Sequence, residues 1–291
     1  MSSRAGLSSL WIGSALGPIE KLSLSSAVAT GMEPTLWSYN PVEGVPDGVR
    51  LADASDILRP SEIFKNPDRD TFAGFSNLFR YVLLAKVNTI WFDLDMVFNK
   101  EPRPSGSHYF GRQDKITING ALLALPRNEP LISCLIGECR ARISNGFRWG
   151  GLGPNLLTEE LIAHGLTHLA LPASEFYGVP FRSAWKFFHP DFREEVERAE
   201  RNSIGLHLWN EVIRTGPFSA LTEVPEGSFL SAKLRHFDIP YIAGSASREK
   251  LEIWRRNLNP PASRARSLAL RALPQSTWHT VLRFRSPHSG S

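Results

Sequence analysis

The sequence predicts an α/β fold, with helices flanking a mainly parallel central sheet. Three observations carry this expectation. Short apolar runs alternate with helical stretches over the first fifty or so residues, the rhythm of strand–helix–strand units. An amphipathic helix at 75–86 leads into a mainly apolar four-residue segment, Thr89-Ile90-Trp91-Phe92, which suits a buried strand. The composition is 42% hydrophobic and 21% charged, an ordinary globular mix that excludes disordered and fibrous classes.

The elements follow in order. Residues 10–12 read as a short buried strand closed by Gly13. Pro18 suits a first helical turn and Gly31 a C-terminal cap, so a helix is expected over residues 18–29. Residues 35–39 and 49–51 read as further strands, and 41–70, rich in Pro, Gly, Asp and Asn, as loops. In 75–86, Phe75, Leu78, Phe79, Val82 and Leu83 recur at helical spacing. Segments 109–111 and 121–124 are strand candidates, 131–143 and 153–164 helices, and 169–171 and 205–208 short strands. No internal repeat or second domain is visible. One domain is therefore expected over residues 1–247, followed by a basic C-terminal tail, 248–291, partly helical or disordered.

Net charge is a mild +4, concentrated toward the end of the chain. From Arg248 to Arg285 the only acidic residues are Glu249 and Glu252, interleaved with Trp254, Leu258, Leu268, Trp278 and Phe284. That mix suits peripheral contact with an anionic membrane surface, and a loosely ordered solvated tail is the plainer alternative. No nucleic-acid partner is expected. Cys134 and Cys139 lie on different faces of one expected helix, which disfavours a disulfide, and their sequence neighbours offer no zinc set. Both read as buried thiols of a reducing compartment. Without a visible signal peptide or a run of about 18 apolar residues, the expectation is a cytoplasmic, bacterial protein, with peripheral contact at the inner face of the membrane as the role the tail would add.

The strongest local feature is Phe92-Asp93-Leu94-Asp95. Alternation along a strand would put both aspartates on one face with Leu94 opposite. Ligands collect at the C-terminal ends of strands in open α/β sheets, and two carboxylates there form a hard-oxygen site for Mn²⁺ or Mg²⁺. Such an ion can stabilise a departing diphosphate. The same Asp-x-Asp pattern also fits the first motif of haloacid-dehalogenase-like phosphatases, with Asp93 as nucleophile and Asp95 as acid/base.

Neighbouring segments bear on that choice. Ser76-Asn77-Leu78-Phe79-Arg80-Tyr81 precedes the aspartates by one helix and a turn. Leu10-Trp11-Ile12-Gly13 opens the chain's first strand, and Asn119-Gly120-Ala121 follows the aspartates. Trp149-Gly150-Gly151-Leu152-Gly153-Pro154-Asn155-Leu156-Leu157-Thr158 and His207-Leu208-Trp209-Asn210 come later. In this order, over residues 10–237, they resemble the DXD-containing retaining glycosyltransferases of the GT-A fold. That family includes α-1,4-galactosyltransferases, capsular-polysaccharide enzymes and, distantly, the large clostridial glucosylating toxins.

The resemblance implies a metal-dependent transferase that moves a sugar from a nucleotide-sugar donor, with a lean toward UDP sugars, to a glycan, glycolipid or lipid-linked acceptor with retention. It implies Asp93, Asp95 and His207 as metal ligands. It places Trp11, Ile12, Ser76, Asn77, Arg80, Asn119 and Trp209 around the donor, with Arg80 and Asn77 nearest the chemistry. Arg80 and His207 are expected to meet Asp95 across one cleft. Two departures stand out. Asn77 replaces the Asp usual in the family, and Gly150, Gly151 and Leu152 are uncharged where relatives often carry Glu. A non-catalytic nucleotide-sugar-binding relative is a further alternative.

Overall fold

The structure is a computed structural model that describes residues 6–104, 106–216, 223–244 and 248–259. The chain runs β1 (Gly6–Trp11), α1 (Pro18–Ala29), β2 (Pro34–Ser38), β3 (Arg50–Asp53), α2 (Ala73–Lys86), β4 (Thr89–Phe92), β5 (Met96–Phe98), β6 (Tyr109–Arg112) and β7 (Ile118–Ala124). It continues with α3 (Pro130–Asn145), α4 (Pro154–Ala163), α5 (Arg193–Arg201), β8 (Gly205–His207) and α6 (Asn210–Arg214). Then come β9 (Val224–Pro225), α7 (Phe229–His236), β10 (Ala243–Gly244) and α8 (Arg248–Leu258). Helix α1 starts at Pro18, whose missing N–H costs nothing in a first turn, and stops before Gly31 at φ +81°.

Six strands form the central sheet in the order β3-β2-β1-β4-β7-β6. The first four are mutually parallel, whereas β7 runs antiparallel to both β4 and β6. Alternation explains the apolar run in β4. Ile90 and Phe92 point into one core layer, together with Leu7, Leu22 and Leu36. Trp91 points into the other, with Leu10, Phe79, Leu123 and Leu157. Helix α1 and the later half of the chain cover the first face, and α2, α3 and α4 cover the second. The α/β class and mainly parallel sheet are as the sequence predicts.

Some expectations change. Residues 169–171 do not form a strand. Thr167–Leu169 is a 3₁₀ turn, and only Leu171 bridges to Gly111. Pro172 follows and has no N–H with which to extend a ladder. Strand β8 ends at His207 because Trp209 turns left-handed, at φ 62°, to open α6. Cys139 is buried as expected, but Cys134 is exposed, and both are free thiols.

Helix α8 packs against the body, with Leu251 and Trp254 in the first core layer. The rest of the basic segment expected to touch a membrane, residues 260–291, lies outside the described residues. Among the described residues no helix is long and apolar enough to cross a membrane.

Candidate active site

Strand β4 ends at Phe92, and Asp93, Leu94 and Asp95 form a turn rather than a continued strand. The Asp93 N–H still donates to Ala121 O of β7 at 2.8 Å, and the Met96 N–H then donates back to Asp93 O at 3.0 Å. The sequence argument from strand alternation is therefore corrected. All three residues line the cleft, Leu94 included, because the chain reverses there. The turn feeds β5, which pairs antiparallel with β8 and sets Met96 opposite His207. The Leu208 N–H donates to Asp95 O at 2.8 Å. The β5–β8 pair thus brings a residue from over a hundred positions downstream against the aspartates.

The ligand-capable atoms of Asp93, Asp95 and His207 all lie within 4.8 Å of one another. His207 Nε2 is 3.1 Å from Asp95 Oδ1, and the side chains are only 9% and 12% exposed. Asp95 Oδ2 accepts the Asn210 N–H at 2.8 Å, at the start of α6. On the other side, Arg80 Nη2 donates to Asp93 Oδ1 at 2.6 Å and Nη1 to Gly120 O at 2.7 Å. Trp91 Nε1 also donates to Asp93 Oδ1, at 2.8 Å. Arg80 therefore meets Asp93, and His207 meets Asp95; the expectation that both would meet Asp95 holds for His207 alone.

Burial raises the proton affinity of Asp93, and the Asp95 charge adds to this, while Arg80 opposes it. Burial would raise Asp95 too, but the neighbouring His207 and the Asn210 N–H hold its carboxyl below the usual range. Two close carboxylates with one arginine leave negative charge to be met. His207 Nδ1 is buried and without a hydrogen-bond partner, so Nε2 is the ring nitrogen turned toward the carboxylates. Carboxylate oxygens plus an imidazole fit Mn²⁺ or Mg²⁺.

The turn lies in a cleft of about 1410 Å³. Trp11, Ser76, Asn77, Asn119 and Trp209 line it together with Arg80. Ile12 does not: it packs against the second core layer. The side chains are also more tied up than a donor-binding role alone requires. Asn77 Nδ2 donates to Ala73 O at 2.8 Å, and Asn119 Nδ2 to Gln113 Oε1 at 2.8 Å. Trp209 is buried, donates from Nε1 to Val179 O at 2.8 Å, and meets the His207 ring at 4.3 Å. Ser76 lies within α2 rather than at its cap, which is Phe72.

Sequence segments that read as separate pieces meet here. Gly153 sits so close to the Asn77 amide that an added Cβ would stand 3.0 Å from it, and Tyr81 Oη donates to Leu152 O at 3.1 Å. Other residues at or beside the cleft escaped the sequence reading. Glu20 of α1 accepts from Asn210 Nδ2 at 3.2 Å, and burial raises its proton affinity. Arg69, outside the lining, bonds Glu211 at 2.9 Å and lies 4.5 Å from the Trp149 ring, and both of these partners line the cleft. No motif marks these residues. A helix-start Glu and a loop Arg become informative only once the chain is folded.

Residues 127–224 match a family model described as the alpha 1,4-glycosyltransferase conserved region. The chain is 30% identical to lactosylceramide 4-alpha-galactosyltransferase of Rattus norvegicus over 149 residues, 47% of this chain and 40% of that protein. It is 28% identical over 158 residues to the proteins of the same name from Pongo pygmaeus, where 71% of the relative is covered, and Homo sapiens, where 44% is covered. The match thus spans less than half the length of the rat and human relatives. A solved structure titled PaToxG Glycosyltransferase aligns over 55% of this chain and 68% of its own, at 18% identity and a TM-score of 0.44. Over these residues the chain is similar to alpha 1,4-glycosyltransferases, and its Asp-x-Asp turn lies in the lining of the cleft.

Proposed function

We propose that the protein transfers a sugar from a nucleotide-sugar donor, a UDP sugar, to a glycan or glycolipid acceptor with retention at the anomeric carbon. Asp93, Asp95 and His207 would hold Mn²⁺ or Mg²⁺. The carrying observation is the convergence of these three side chains at the floor of a large cleft. The matched relatives are named for 4-alpha-galactosyl transfer to lactosylceramide, which favours galactose as the sugar and a glycolipid as the acceptor.

When bound, the divalent ion would neutralise the diphosphate charge that grows as the donor bond breaks. The protein groups around it hold and orient. Arg80 fixes Asp93 with one nitrogen and the β7 carbonyl with another, so the carboxylate is aimed before any ligand arrives. The Asn210 N–H holds Asp95 in the same way from α6. Of the other carboxylates in the described lining, Glu211 is paired with Arg69 and Arg214 and Asp114 accepts two backbone N–H groups, which leaves Glu20 as the nearest alternative to the aspartates. In the proposed step the acceptor oxygen bonds to the anomeric carbon on the face from which the phosphate leaves. Its proton passes to the departing phosphate oxygen, so no protein base is required.

The test is incubation with a panel of nucleotide sugars and Mn²⁺, reading release of nucleoside diphosphate with and without lactose-terminated glycolipid. Release with at least one donor, abolished in Asp95→Ala while near-ultraviolet circular dichroism is unchanged, is the expected result. Cleavage of a phosphomonoester with no response to any donor would instead establish the phosphatase alternative. Tight donor binding without turnover would establish a non-catalytic relative.

A further inference from the structure

Helices α3 and α4 pack as an antiparallel pair, and the loop joining them carries Phe147, Trp149, Gly150 and Leu152 into the cleft. At the opposite end of this hairpin lies a second group of potential ligands, unconnected with the aspartates. Cys134 of α3 meets Glu160 of α4 and His164, the residue that caps α4, with one ligand atom from each within 4.8 Å of the others. Glu160 and His164 are four residues apart, so they share one helical face. Glu138 stands in the same relation to Cys134, and is near enough for its charge to act on Glu160. Two such pairs therefore face each other across the helix packing.

The chemistry of this group points to one class of ion. Arg142 is committed to Glu159 at 2.6 Å and to Gly151 O at 2.9 Å. Among the described residues the Glu160 carboxylate has no ion-pair partner other than His164, 3.8 Å away. The His164 Nδ1 contacts the Glu160 backbone carbonyl at 2.9 Å. A backbone carbonyl on one ring nitrogen is the arrangement that fixes a ligating histidine and leaves the other nitrogen's lone pair for a metal. A thiolate, an imidazole and a carboxylate are a borderline-soft set, suited to tetrahedral zinc and poorly suited to Mg²⁺ or Mn²⁺. Three protein ligands leave a fourth position for water or Glu138.

We infer that Cys134, Glu160 and His164 form a zinc site that clips α3 to α4 at the end of the hairpin away from the cleft. Binding replaces the Cys134 thiol proton, which leaves to solvent, by a zinc–sulfur bond. Because the ligands lie on two helices, the ion adds a cross-link to the hairpin whose loop delivers Trp149. The sequence neighbourhood of the cysteines shows none of this, since the partners are twenty-six and thirty residues downstream of Cys134.

Cobalt(II) titration of the full-length protein under reducing conditions tests the site, because a cobalt–thiolate bond has a near-ultraviolet charge-transfer band. The Asp93, Asp95 and His207 group contains no sulfur and cannot produce that band. The expected result is a band that saturates at one ion per chain, is displaced by zinc, and persists in Asp95→Ala. It should be absent in Cys134→Ser, and affinity should fall roughly tenfold or more in His164→Ala and Glu160→Gln. Circular dichroism of each variant checks that the fold is kept; these positions are exposed or half-buried, so it should be. Absence of the band overturns the inference, as does a band that survives Cys134→Ser. So does undiminished affinity in both the His164 and Glu160 variants, which would reduce the site to a lone surface thiol.

Discussion

Glu20 sits in the cleft without belonging to any motif, and its surroundings disfavour its charge. Burial is the largest cause of its raised proton affinity, and the Asp95 charge adds to it, against the opposing Asn210 hydrogen bond. The consequence for stability has a definite sign. A carboxyl whose folded pKa exceeds its free value, about 4.5 here, costs nothing while both states hold the proton. As pH rises through the folded pKa, the folded state alone is asked to bear a buried charge, and stability falls. Glu20→Gln should therefore raise the urea midpoint at mildly alkaline pH and leave it unchanged below pH 4.5. A lower midpoint in the variant at alkaline pH would mean that the charge is used, for example at the N-terminus of α1. The two cysteines make a parallel case. Burial pushes the Cys139 thiol up to about 12, whereas Cys134 is exposed. One thiol per native, metal-free chain should react with a disulfide reagent, and mapping the adduct by mass spectrometry should find it on Cys134. The sequence placed both cysteines on one helix on different faces. Exposure depends on what packs against that helix, which the sequence does not state.

At the scale of elements, the aspartates were legible and their geometry was not. An apolar run followed by Asp-x-Asp marks a strand end at a ligand site from residue types alone. That the pair sits in a turn, anchored by Ala121 O behind and Leu208 N–H ahead, depends on pairings with β7 and β8 that no local pattern encodes. Gly120 shows how tightly these elements are fitted. Arg80 reaches Gly120 O only because there is no side chain in its way: a Cβ there would stand 2.7 Å from Arg80 Nη1. In Gly120→Ala the guanidinium must give way, and Asp93 loses a charge-assisted partner worth about 1.5–3 kcal/mol. Donor turnover should fall roughly 10- to 100-fold, on the scale of tenfold per 1.4 kcal/mol. The unfolding midpoint should fall too, by no more than that same bond accounts for, because its loss is felt by the folded state as well. Turnover equal to that of the parent protein would show that Arg80 is a structural arginine and not a positioning residue.

For the whole molecule, the far wall of the cleft rests on the last described helix. The sequence assigned residues from Arg248 onward to a tail, since Arg dominates there and no motif extends so far. Yet α8 has an apolar stripe, and Leu251 and Trp254 are buried by it. Trp254 packs on Phe188 with ring centroids 5.4 Å apart, and Asn259 Nδ2 donates to Arg182 O at 3.0 Å. Both contacts fall on the 3₁₀ segment Phe181–Phe188. That segment begins at Phe181, which meets Trp209 at 6.1 Å, and Trp209 in turn meets His207 at 4.3 Å. The 3₁₀ segment thus touches α8 near one end and the Trp209–His207 ring pair beside Asp95 at the other. Removing the indole should leave a cavity costing about 3–5 kcal/mol, the usual range for a buried Trp→Ala change. In Trp254→Ala the urea midpoint should therefore drop. At temperatures where the variant is still folded, the KM for donor should rise with kcat nearly unchanged, because the wall that places His207 has loosened while the aspartates and Arg80 keep their bonds. A drop in stability with unchanged KM would limit α8 to holding the domain together. An unchanged midpoint would mean that the helix does not dock in solution, and its basic, partly apolar surface would then be available to a membrane, as vesicle flotation of the same variant would show.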